Sequence, residues 1–600
     1  MFKQGRPLGA AAARAASVLC ALIVGCAGPA NRPTVAQNEP AATPAEAPEA
    51  SRPLPEVELT GPLLFEIVAA EVAVQRGEFS AAFATLTKAA RETRDPRLAR
   101  RATEVALGAR DAAQALESAR LWRELDGGST EAEQTFTSLL VANGRYDEAK
   151  PLLQKQVRDE AEPLAALARI QRLLARSPDQ AQALGLLQAL AEPYRSDRKR
   201  AFEVHLILAH GAHAAGQSAR AGEEARAAMA LKPDSEQAAI AAAQFMLEAK
   251  NRTEAAGRAD AIGLLSGFLQ RNPNAAAARL EYARLLVGDG RNDAARAQFE
   301  ELLRRDPNGP DPLFALGVLS LQAELRPQAR EYFERYLKAI EEGADREPDP
   351  AYLNLARVSE EEQKYDDAFD WLHRVRSPEQ VVTARIREAF LLAKLARVDD
   401  ALKLLGDTPS ESADDRSQIL LSKGQILRDA HRYQESYQLL AAALQAAPDE
   451  PNLLYETAMS AERLDRLDVM ETHLRHLVQL KPDYAHAYNA LGYTFADRNI
   501  RLKEAYELID KALQLAPDDG FILDSMGWVQ YRLGNLSAAR DFLGRAYRLK
   551  PEADVAAHLG EVMWRQGDRD AARTVWREAS RRESDNETLK ETLLRLDVKP

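Results

Sequence analysis

The histidines are the first residues whose spacing could support chemistry. His473 and His476 lie three residues apart, as do His210 and His213, so each pair would share one face of a helix. Imidazoles at helical spacing can bind zinc when further ligands converge on them. No thiol or carboxylate partner recurs with either pair. The sequence therefore predicts no metal site and no cofactor.

Signatures of common enzymes do not occur in the 600 residues. There is no GxSxG, HExxH, Walker or GxGxxG motif. Acidic residues alternate with arginines in the spacing of ion pairs on solvated helices. We therefore predict a protein that is not an enzyme. A wall hydrolase would require a catalytic domain outside the repeats that fill the chain after residue 61.

Residues 1–25 have the pattern of an export signal. Lys3, Arg6 and Arg14 precede a short apolar run at residues 15–24, and no acidic residue lies among them. The run is shorter than the roughly 20 apolar residues that a membrane-spanning helix needs. This segment is therefore predicted to be a signal peptide.

The end of this signal carries a lipidation motif. Residues 23–26, Ile-Val-Gly-Cys, resemble the lipobox of bacterial lipoproteins. The resemblance implies that Cys26 is lipid-modified, becomes the new N-terminus and attaches the protein to a membrane. Ala27 stands where lipoproteins of the inner membrane commonly have aspartate, which favours the outer membrane with the body facing the periplasm. The other cysteine, Cys20, would be removed with the signal.

The composition of residues 26–60 is typical of a disordered tether. Seven prolines are spread among alanine, glutamate and threonine, and such a segment cannot bury a core. The whole chain has a formal net charge of −12, which disfavours nucleic acid as a partner because that affinity rests on neutralised phosphates. Two short basic clusters, at residues 91–101 and 195–200, are interpreted as solvated faces.

From residue 61 onward, one six-residue phrase returns throughout the chain. Copies stand at residues 77–82 (GEFSAA), 144–149 (GRYDEA) and 534–539 (GNLSAA). Prolines keep the same phase, since Pro448, Pro482, Pro517 and Pro551 recur once in each unit at a nearly constant spacing. Each unit holds two amphipathic stretches, the first ending at the phrase and the second before proline.

This unit resembles the tetratricopeptide repeat (TPR), a helix–turn–helix of about 34 residues. In the unit around residues 519–551, Met526 and Gly527 match the Leu-Gly positions of the repeat, and Ala539 and Ala546 match its small positions. We predict an all-α TPR solenoid of about 13–15 repeats over residues 61–585. A polar capping helix is expected within residues 586–600, because a solenoid must close its open end.

The TPR resemblance also implies where a partner binds. The first helix of each repeat lines a groove, and its positions 2, 5, 9, 12 and 13 usually face a protein ligand. For two aromatic members, Trp528 and Tyr531, packing between neighbouring helices is an open alternative. In the four C-terminal repeats the implied positions are Asn452, Tyr455, Glu462, Arg463, His486, Asn489, Tyr493, Phe521, Asp524, Trp528, Tyr531, Arg532, Glu561, Trp564 and Arg565.

Two stretches are more specific than a generic repeat. Residues 62–77 with 94–106, and residues 491–498 with 522–529, together with the lipobox, resemble the proteobacterial TPR lipoproteins of the LbcA type. The resemblance implies a non-catalytic adaptor that activates a periplasmic carboxyl-terminal processing protease and presents substrates such as peptidoglycan hydrolases. The first helix, about residues 61–75, is a candidate protease contact because it is unusually apolar for an end unit.

A second hypothesis stays open beside this one. TPR lipoproteins also serve in the assembly of pili, secretins and exopolysaccharide exporters. The repeats alone do not distinguish an assembly factor from a protease adaptor.

Overall fold

The computed structural model describes residues 55–248, 253–410 and 412–599. All regular secondary structure in these ranges is α-helical and comprises 31 helices. The chain forms two compact units, one ending at Leu319 and the other beginning at Ser320. Within the described ranges, no helix combines the length and the apolar character needed to cross a membrane.

The unit that ends at Leu319 contains seven complete helix pairs, and α12 is the longest of its helices. The helices are α1 (Gly61–Gln75), α2 (Phe79–Thr93), α3 (Pro96–Gly108), α4 (Ala112–Leu125), α5 (Thr130–Ala142), α6 (Tyr146–Asp159), α7 (Pro163–Leu174), α8 (Gln180–Arg195), α9 (Ala201–Ala214), α10 (Ser218–Leu231), α11 (Glu236–Leu247), α12 (Glu254–Arg271), α13 (Ala276–Gly288) and α14 (Asn292–Arg305).

The boundary between the units falls inside α15 (Pro310–Gln322), and the helices continue in pairs beyond it. They are α16 (Arg326–Glu341), α17 (Asp349–Glu361), α18 (Tyr365–His373), α19 (Pro378–Lys394), α20 (Val398–Asp407), α21 (Ala413–Asp429), α22 (Tyr433–Ala446), α23 (Pro451–Arg463), α24 (Leu467–Leu480), α25 (Ala485–Asp497), α26 (Leu502–Leu515), α27 (Gly520–Arg532), α28 (Leu536–Leu549), α29 (Ala553–Arg565), α30 (Arg569–Arg582) and α31 (Glu587–Leu596).

The turn inside each pair explains the recurring phrase. In most pairs a residue of this turn adopts the left-handed conformation, as Gly77 (φ 77°) and Gly534 (φ 86°) do. Glycine reaches this region without a steric penalty, and the turn closes the C-terminus of the first helix. Several repeats use another residue in the same conformation, for example Gln363 (φ 60°) and Ala396 (φ 61°). The backbone thus needs the turn even where the sequence does not supply glycine.

Small residues let the two helices of a pair approach closely. A Cβ added to Gly527 of α27 would lie 2.5 Å from Cγ of Leu543 on α28. Ala539 and Ala546, on the same second helix, are fully buried. Such contacts are too close for a larger side chain. The residues that match the repeat consensus therefore form the interface between the paired helices.

The fold-class prediction is confirmed. The chain is an all-α TPR solenoid, with fifteen helix pairs among the described residues and the single helix α31 after the last pair. Asn586 caps α31 by accepting a hydrogen bond from the backbone N–H of Leu589, and Leu589 is buried against the last pair. The predicted signal peptide, the lipidated Cys26 and residues 27–54 lie outside the described residues.

Candidate protein-binding groove

The fifteen predicted groove residues lie on four first helices of the C-terminal repeats. We call the surface formed by α23, α25, α27 and α29 the first-helix face. Within this face α25 contacts α27 and α27 contacts α29, and Arg498 at the end of α25 lies 3.6 Å from Glu462 of α23. A residue on one helix therefore meets residues about one repeat period away on the next. These contacts between neighbouring repeats determine which of the predicted groove residues are exposed and which are buried.

A buried ionic cluster occupies the middle of the face. Nδ1 of His558, on α29, lies 3.0 Å from both carboxylate oxygens of Asp524, on α27. The indole of Trp528 stacks on the imidazole with ring centroids 4.2 Å apart, and its Nε1 donates to Asp497 across 3.3 Å. Trp528 is only 5% exposed. Its ring therefore packs between neighbouring first helices, which is the alternative that the sequence left open.

The charge of His558 follows from its neighbours. Burial by itself lowers the pKa of an imidazole, but the carboxylates of Asp524, Asp554 and Asp497 raise it more, and the net pKa lies above its usual value. The raised pKa favours the imidazolium form of His558, which pairs with the buried carboxylate of Asp524. Sequence reasoning did not single out His558. The available signal was its position, one repeat period after Asp524 and hence directly opposite it.

A second cluster joins the last repeat to α31. Glu561 is 1% exposed and accepts hydrogen bonds from the Tyr531 hydroxyl at 2.8 Å and from Nη1 of Arg595 at 2.8 Å. The second carboxylate oxygen pairs with Nη2 of Arg595. Burial raises the pKa of Glu561, but these donors outweigh that effect and hold the pKa below its usual value. Glu561 therefore anchors the terminal helix.

Arginines recur at the C-terminal ends of the first helices. Arg463, Arg498, Arg532 and Arg565 occupy this position in four consecutive repeats. Arg498 pairs with Asp465 at 2.6 Å, and Arg532 bonds to the backbone carbonyl of Asp497. Arg463 is buried, whereas Arg565 is exposed. Two of the four arginines therefore join neighbouring repeats.

The rest of the predicted set keeps partial exposure. Asn452 bonds to Glu450 at 3.1 Å, Tyr455 lies 5.8 Å from Tyr484 between ring centroids, and Nζ of Lys550 lies 3.5 Å from the centroid of the Phe521 ring. The half-buried residues of the predicted set are Asn452, Tyr455, Glu462, His486, Asn489, Tyr493, Phe521, Tyr531, Arg532 and Trp564.

Three groups on this face point to a polar ligand. Oδ1 of Asn489 and Nε of Arg532 are buried and accept or donate no hydrogen bond among the described residues. Burial raises the pKa of Glu462, although Arg463 and Arg498 oppose it. Unsatisfied buried polar atoms are uncommon in folded proteins. A bound peptide could supply the missing partners, and the ligand-contact roles themselves stay a prediction.

The two histidine pairs lie apart from these clusters. His210 and His213 both contact the ring of Phe245, and burial lowers the pKa of His210. Burial also lowers the pKa of His473, while His476 lies 3.0 Å from Asp449. Among the described residues, no group of three or more histidine, cysteine, aspartate or glutamate side chains is arranged to hold a metal ion.

Residues of the two basic clusters are paired with acidic side chains. Arg91 lies 2.6 Å from Glu117, and Arg101 lies 2.7 Å from Glu71. In the second cluster, Arg195 pairs with Glu224 at 2.8 Å. These pairs link neighbouring helices at the surface. They agree with the interpretation of the clusters as solvated faces.

Two short second helices leave a cleft in the unit that begins at Ser320. Helices α18 and α20 are shorter than the other second helices of that unit by about one turn or more. The cleft has a volume of about 500 Å³ and contains a buried Glu388 held by His373 at 2.9 Å and by Arg385 at 2.5 Å. Its other lining residues are Val381, Leu404, Asp407, Thr408 and Pro409.

Known proteins that are similar to this chain include tetratricopeptide-repeat proteins. The tetratricopeptide repeat family matches residues 258–325. The TPR repeat-containing protein PA4667 of Pseudomonas aeruginosa is 33% identical over 504 residues, which cover 83% of this chain and 82% of that protein. A human protein O-mannosyl-transferase, TMTC1, is 24% identical over 190 residues, and the match spans 30% of this chain and 21% of that protein.

Solved structures of repeat proteins also align with the chain. The thermophilic TPR protein TTC0263 of Thermus thermophilus aligns at 22% identity and a TM-score of 0.28, covering 30% of this chain and 99% of that one. The Cut9–Hcn1 hetero-tetramer of the APC/C aligns at 15% identity and a TM-score of 0.29, covering 84% of this chain and 97% of that one.

Proposed function

The chain belongs to the tetratricopeptide-repeat proteins, and on that premise we propose that it is a non-catalytic adaptor for a periplasmic carboxyl-terminal processing protease. In this proposal, lipid on Cys26 anchors it to the outer membrane, and it activates the protease and presents substrates such as peptidoglycan hydrolases. TPR folds generally act as scaffolds for other proteins. The specific partner comes from the resemblance to the LbcA-type lipoproteins.

An apolar stripe on α1, exposed among the described residues, carries the proposal. Leu64, Phe65, Val68 and Val72 follow the helical spacing and are all exposed, Phe65 by 73% and Val68 by 52%. The end of a solenoid is normally covered by a polar capping surface. An apolar stripe at this end instead indicates a surface that another protein covers. Burying these side chains would stabilise a complex by roughly 1 kcal/mol each.

The rest of α1 is fixed to the body, so the stripe is presented by a rigid element. Ala70 and Ala73 are buried on the opposite side of the helix. Glu66 pairs with Lys88 on α2 at 2.8 Å, and Glu71 pairs with Arg101 on α3 at 2.7 Å. These contacts orient α1 without using its apolar stripe. A partner would therefore meet a preformed surface, which lowers the entropy cost of binding.

The first-helix face supplies a second surface for the same function. It carries the half-buried Asn489 and Arg532, whose polar atoms Oδ1 and Nε lack protein partners among the described residues. An extended segment of a substrate could bind there while the protease binds α1. The two surfaces belong to different units of the chain, so they can be tested separately.

Co-purification tests this function. The full chain, tagged at its C-terminus, is purified from detergent-solubilised cell envelopes, and the retained proteins are identified by mass spectrometry. We expect a carboxyl-terminal processing protease in the wild-type eluate and its loss with F65D/V68D. The matched control is L107D, because Leu107 is a comparably exposed leucine on α3 and does not belong to the apolar stripe of α1. Recovery of pilus, secretin or polysaccharide-export components without a protease would favour the assembly function instead.

A further inference from the structure

A row of arginines runs along α30 in the last repeat. Arg569, Arg573, Arg577 and Arg581 follow one another at every fourth position, and Arg565 continues the spacing at the end of α29. Helix α30 is rich in arginine and holds only two acidic residues, although the whole chain has a net charge of −12. We call the row from Arg565 to Arg581 the arginine face. It concentrates positive charge in an acidic protein.

The arginine face is accessible. Ala572, Trp576 and Ala579 bury the inner side of α30 in the last repeat. Arg569, Arg577 and Arg581 are exposed, and Arg573 is half-buried. Four positions at this spacing extend over about 18 Å of helix. The face is therefore an outward-facing row several turns long, and it winds gradually around the helix because four residues slightly exceed one turn.

Trp564 orients two members of the row. The guanidinium carbon of Arg569 lies 4.9 Å from the centroid of the Trp564 indole, and that of Arg573 lies 5.3 Å from it. Cation–π contacts of this kind hold a planar guanidinium against an aromatic ring. They leave its N–H groups able to bind carboxylates in a bidentate geometry. The two side chains are thus held in place without being neutralised.

The row lacks the acidic partners that other arginines of this unit have. Arg475 and Arg501, for example, both pair with Glu471, at 2.8 and 2.6 Å. In the described part of the chain, Arg573 has only a 3.8 Å contact with Asp570, and no ion pair involves Arg569, Arg577 or Arg581. Like charges four residues apart destabilise a helix. The row therefore weakens α30 unless a group beyond the described residues neutralises it.

We infer that the arginine face binds an acidic helical segment of a partner protein. Carboxylates at every fourth position of a helix repeat at about 6 Å, which matches the repeat of the arginine row. A lipid surface fits less well, because Asp570, Thr574 and Glu578 lie between the arginines and no apolar side chain there could enter a bilayer. This surface is separate from α1, and its role does not depend on the identity of the protein bound there.

A model peptide tests the inference on the full chain. The probe is a fluorescent, alanine-rich helical peptide with glutamate at every fourth position, and its binding is followed by anisotropy at low and at high salt. We expect R577E/R581E to weaken binding by about tenfold or more, since charge reversal adds repulsion to the lost contacts. High salt should have a similar effect. The matched control is R172E/R176E, which reverses two exposed arginines at the C-terminal end of α7.

A control peptide, a charge-reversal variant and lipid vesicles give further results that support or overturn the inference. A peptide with glutamine in place of glutamate should not bind. Equal affinity of wild type and R577E/R581E for the glutamate peptide would overturn the inference. Binding to phosphatidylcholine–phosphatidylglycerol vesicles but not to the peptide would also overturn it and would assign the face to a membrane. Hydrogen exchange of the amides of residues 569–582 in each variant verifies that α30 remains folded.

Discussion

Nδ1 of His558 lies 3.0 Å from both carboxylate oxygens of Asp524, one repeat earlier in the chain. Both side chains are buried, and the ring of Trp528 stacks on the imidazole of His558. The pair joins α27 to α29 in the middle of the first-helix face. A repeat protein is stabilised through contacts between neighbouring repeats, so this pair affects the stability of the C-terminal repeats as a whole.

The His558 pair should make stability depend on pH. The pKa of His558 is raised in the fold, so its contribution is fully present below the unfolded pKa of about 6.5 and is lost as the pH rises through the folded pKa. We expect H558Q to cost about 3 kcal/mol at pH 6 and less at pH 9. Thermal unfolding at both pH values measures the difference. The control is H486Q on α25, and an equal cost of H558Q at both pH values would contradict the account.

The Glu561–Arg595 pair predicts the opposite pH dependence. The pKa of Glu561 is lowered in the fold, so its contribution is present above the unfolded pKa of about 4.3 and is lost as the pH falls through the folded pKa. R595A would remove the guanidinium from a buried carboxylate and leave it with the Tyr531 hydrogen bond and the charge of His558, at a cost of about 3 kcal/mol near pH 7.

Hydrogen exchange in α31 tests the role of this pair. The amide protons of residues 587–596 should exchange much faster in R595A than in wild type, because the pair anchors that helix. R577A, at an exposed arginine of α30, serves as the control. Unchanged protection of α31 in R595A would show that Leu589 and its neighbours hold the helix without the ion pair.

Gly527 should not tolerate even one added carbon. The new Cβ of G527A would lie 2.5 Å from Cγ of Leu543, and we expect a loss of about 1–3 kcal/mol from overpacking. G544A is a matched control, because Gly544 lies in the paired helix α28. A Cβ added there would have only Nη1 of Arg548 within 4 Å, at 3.7 Å. That variant should gain about 0.5–1 kcal/mol in helix propensity. Chemical denaturation of both variants would reveal opposite signs, and a stabilised G527A would refute the packing argument.

The left-handed turn of Ala396 offers a stabilising substitution. This alanine is exposed and has φ 61°, a conformation that costs about 1 kcal/mol for a residue with a Cβ. We expect A396G to raise the free energy of unfolding by about 0.5 kcal/mol. A393G, three residues earlier in α19, should instead destabilise by about 1 kcal/mol or more. Denaturant midpoints measure both, and a destabilised A396G would contradict the turn assignment.

The sequence repeat of about 34 residues is enough to predict the fold. Proline, the turn residue and the small residues recur in phase, and each has a local steric cause that needs no knowledge of distant parts of the chain. Gly527 and Ala539 are recognisable from the repeat consensus, and they lie at the helix interface. A left-handed Ala396 is harder to anticipate, because the residue gives no conformational signal of its own.

The accessibility of the groove residues could not be predicted in the same way. The helical periodicity of the sequence predicts that Asp524 and Glu561 lie on the first-helix face. It does not predict which side chain of the next repeat contacts each of them. His558 and Arg595, each one repeat period downstream, are those partners. A comparison of oppositely charged residues one repeat period apart in the sequence would have identified both partners. The lipidation of Cys26 and the outer-membrane location stay predictions.

The central claim is that α1 binds and activates a protease through its apolar stripe. The most direct test is the peptidase activity of a purified periplasmic carboxyl-terminal processing protease, measured with a hydrolase substrate in the presence of the full chain, its F65D/V68D variant or the L107D control. The account predicts activation by wild type and L107D, and little or none by F65D/V68D. Equal activation by all three proteins, or no activation by the wild type, would contradict it.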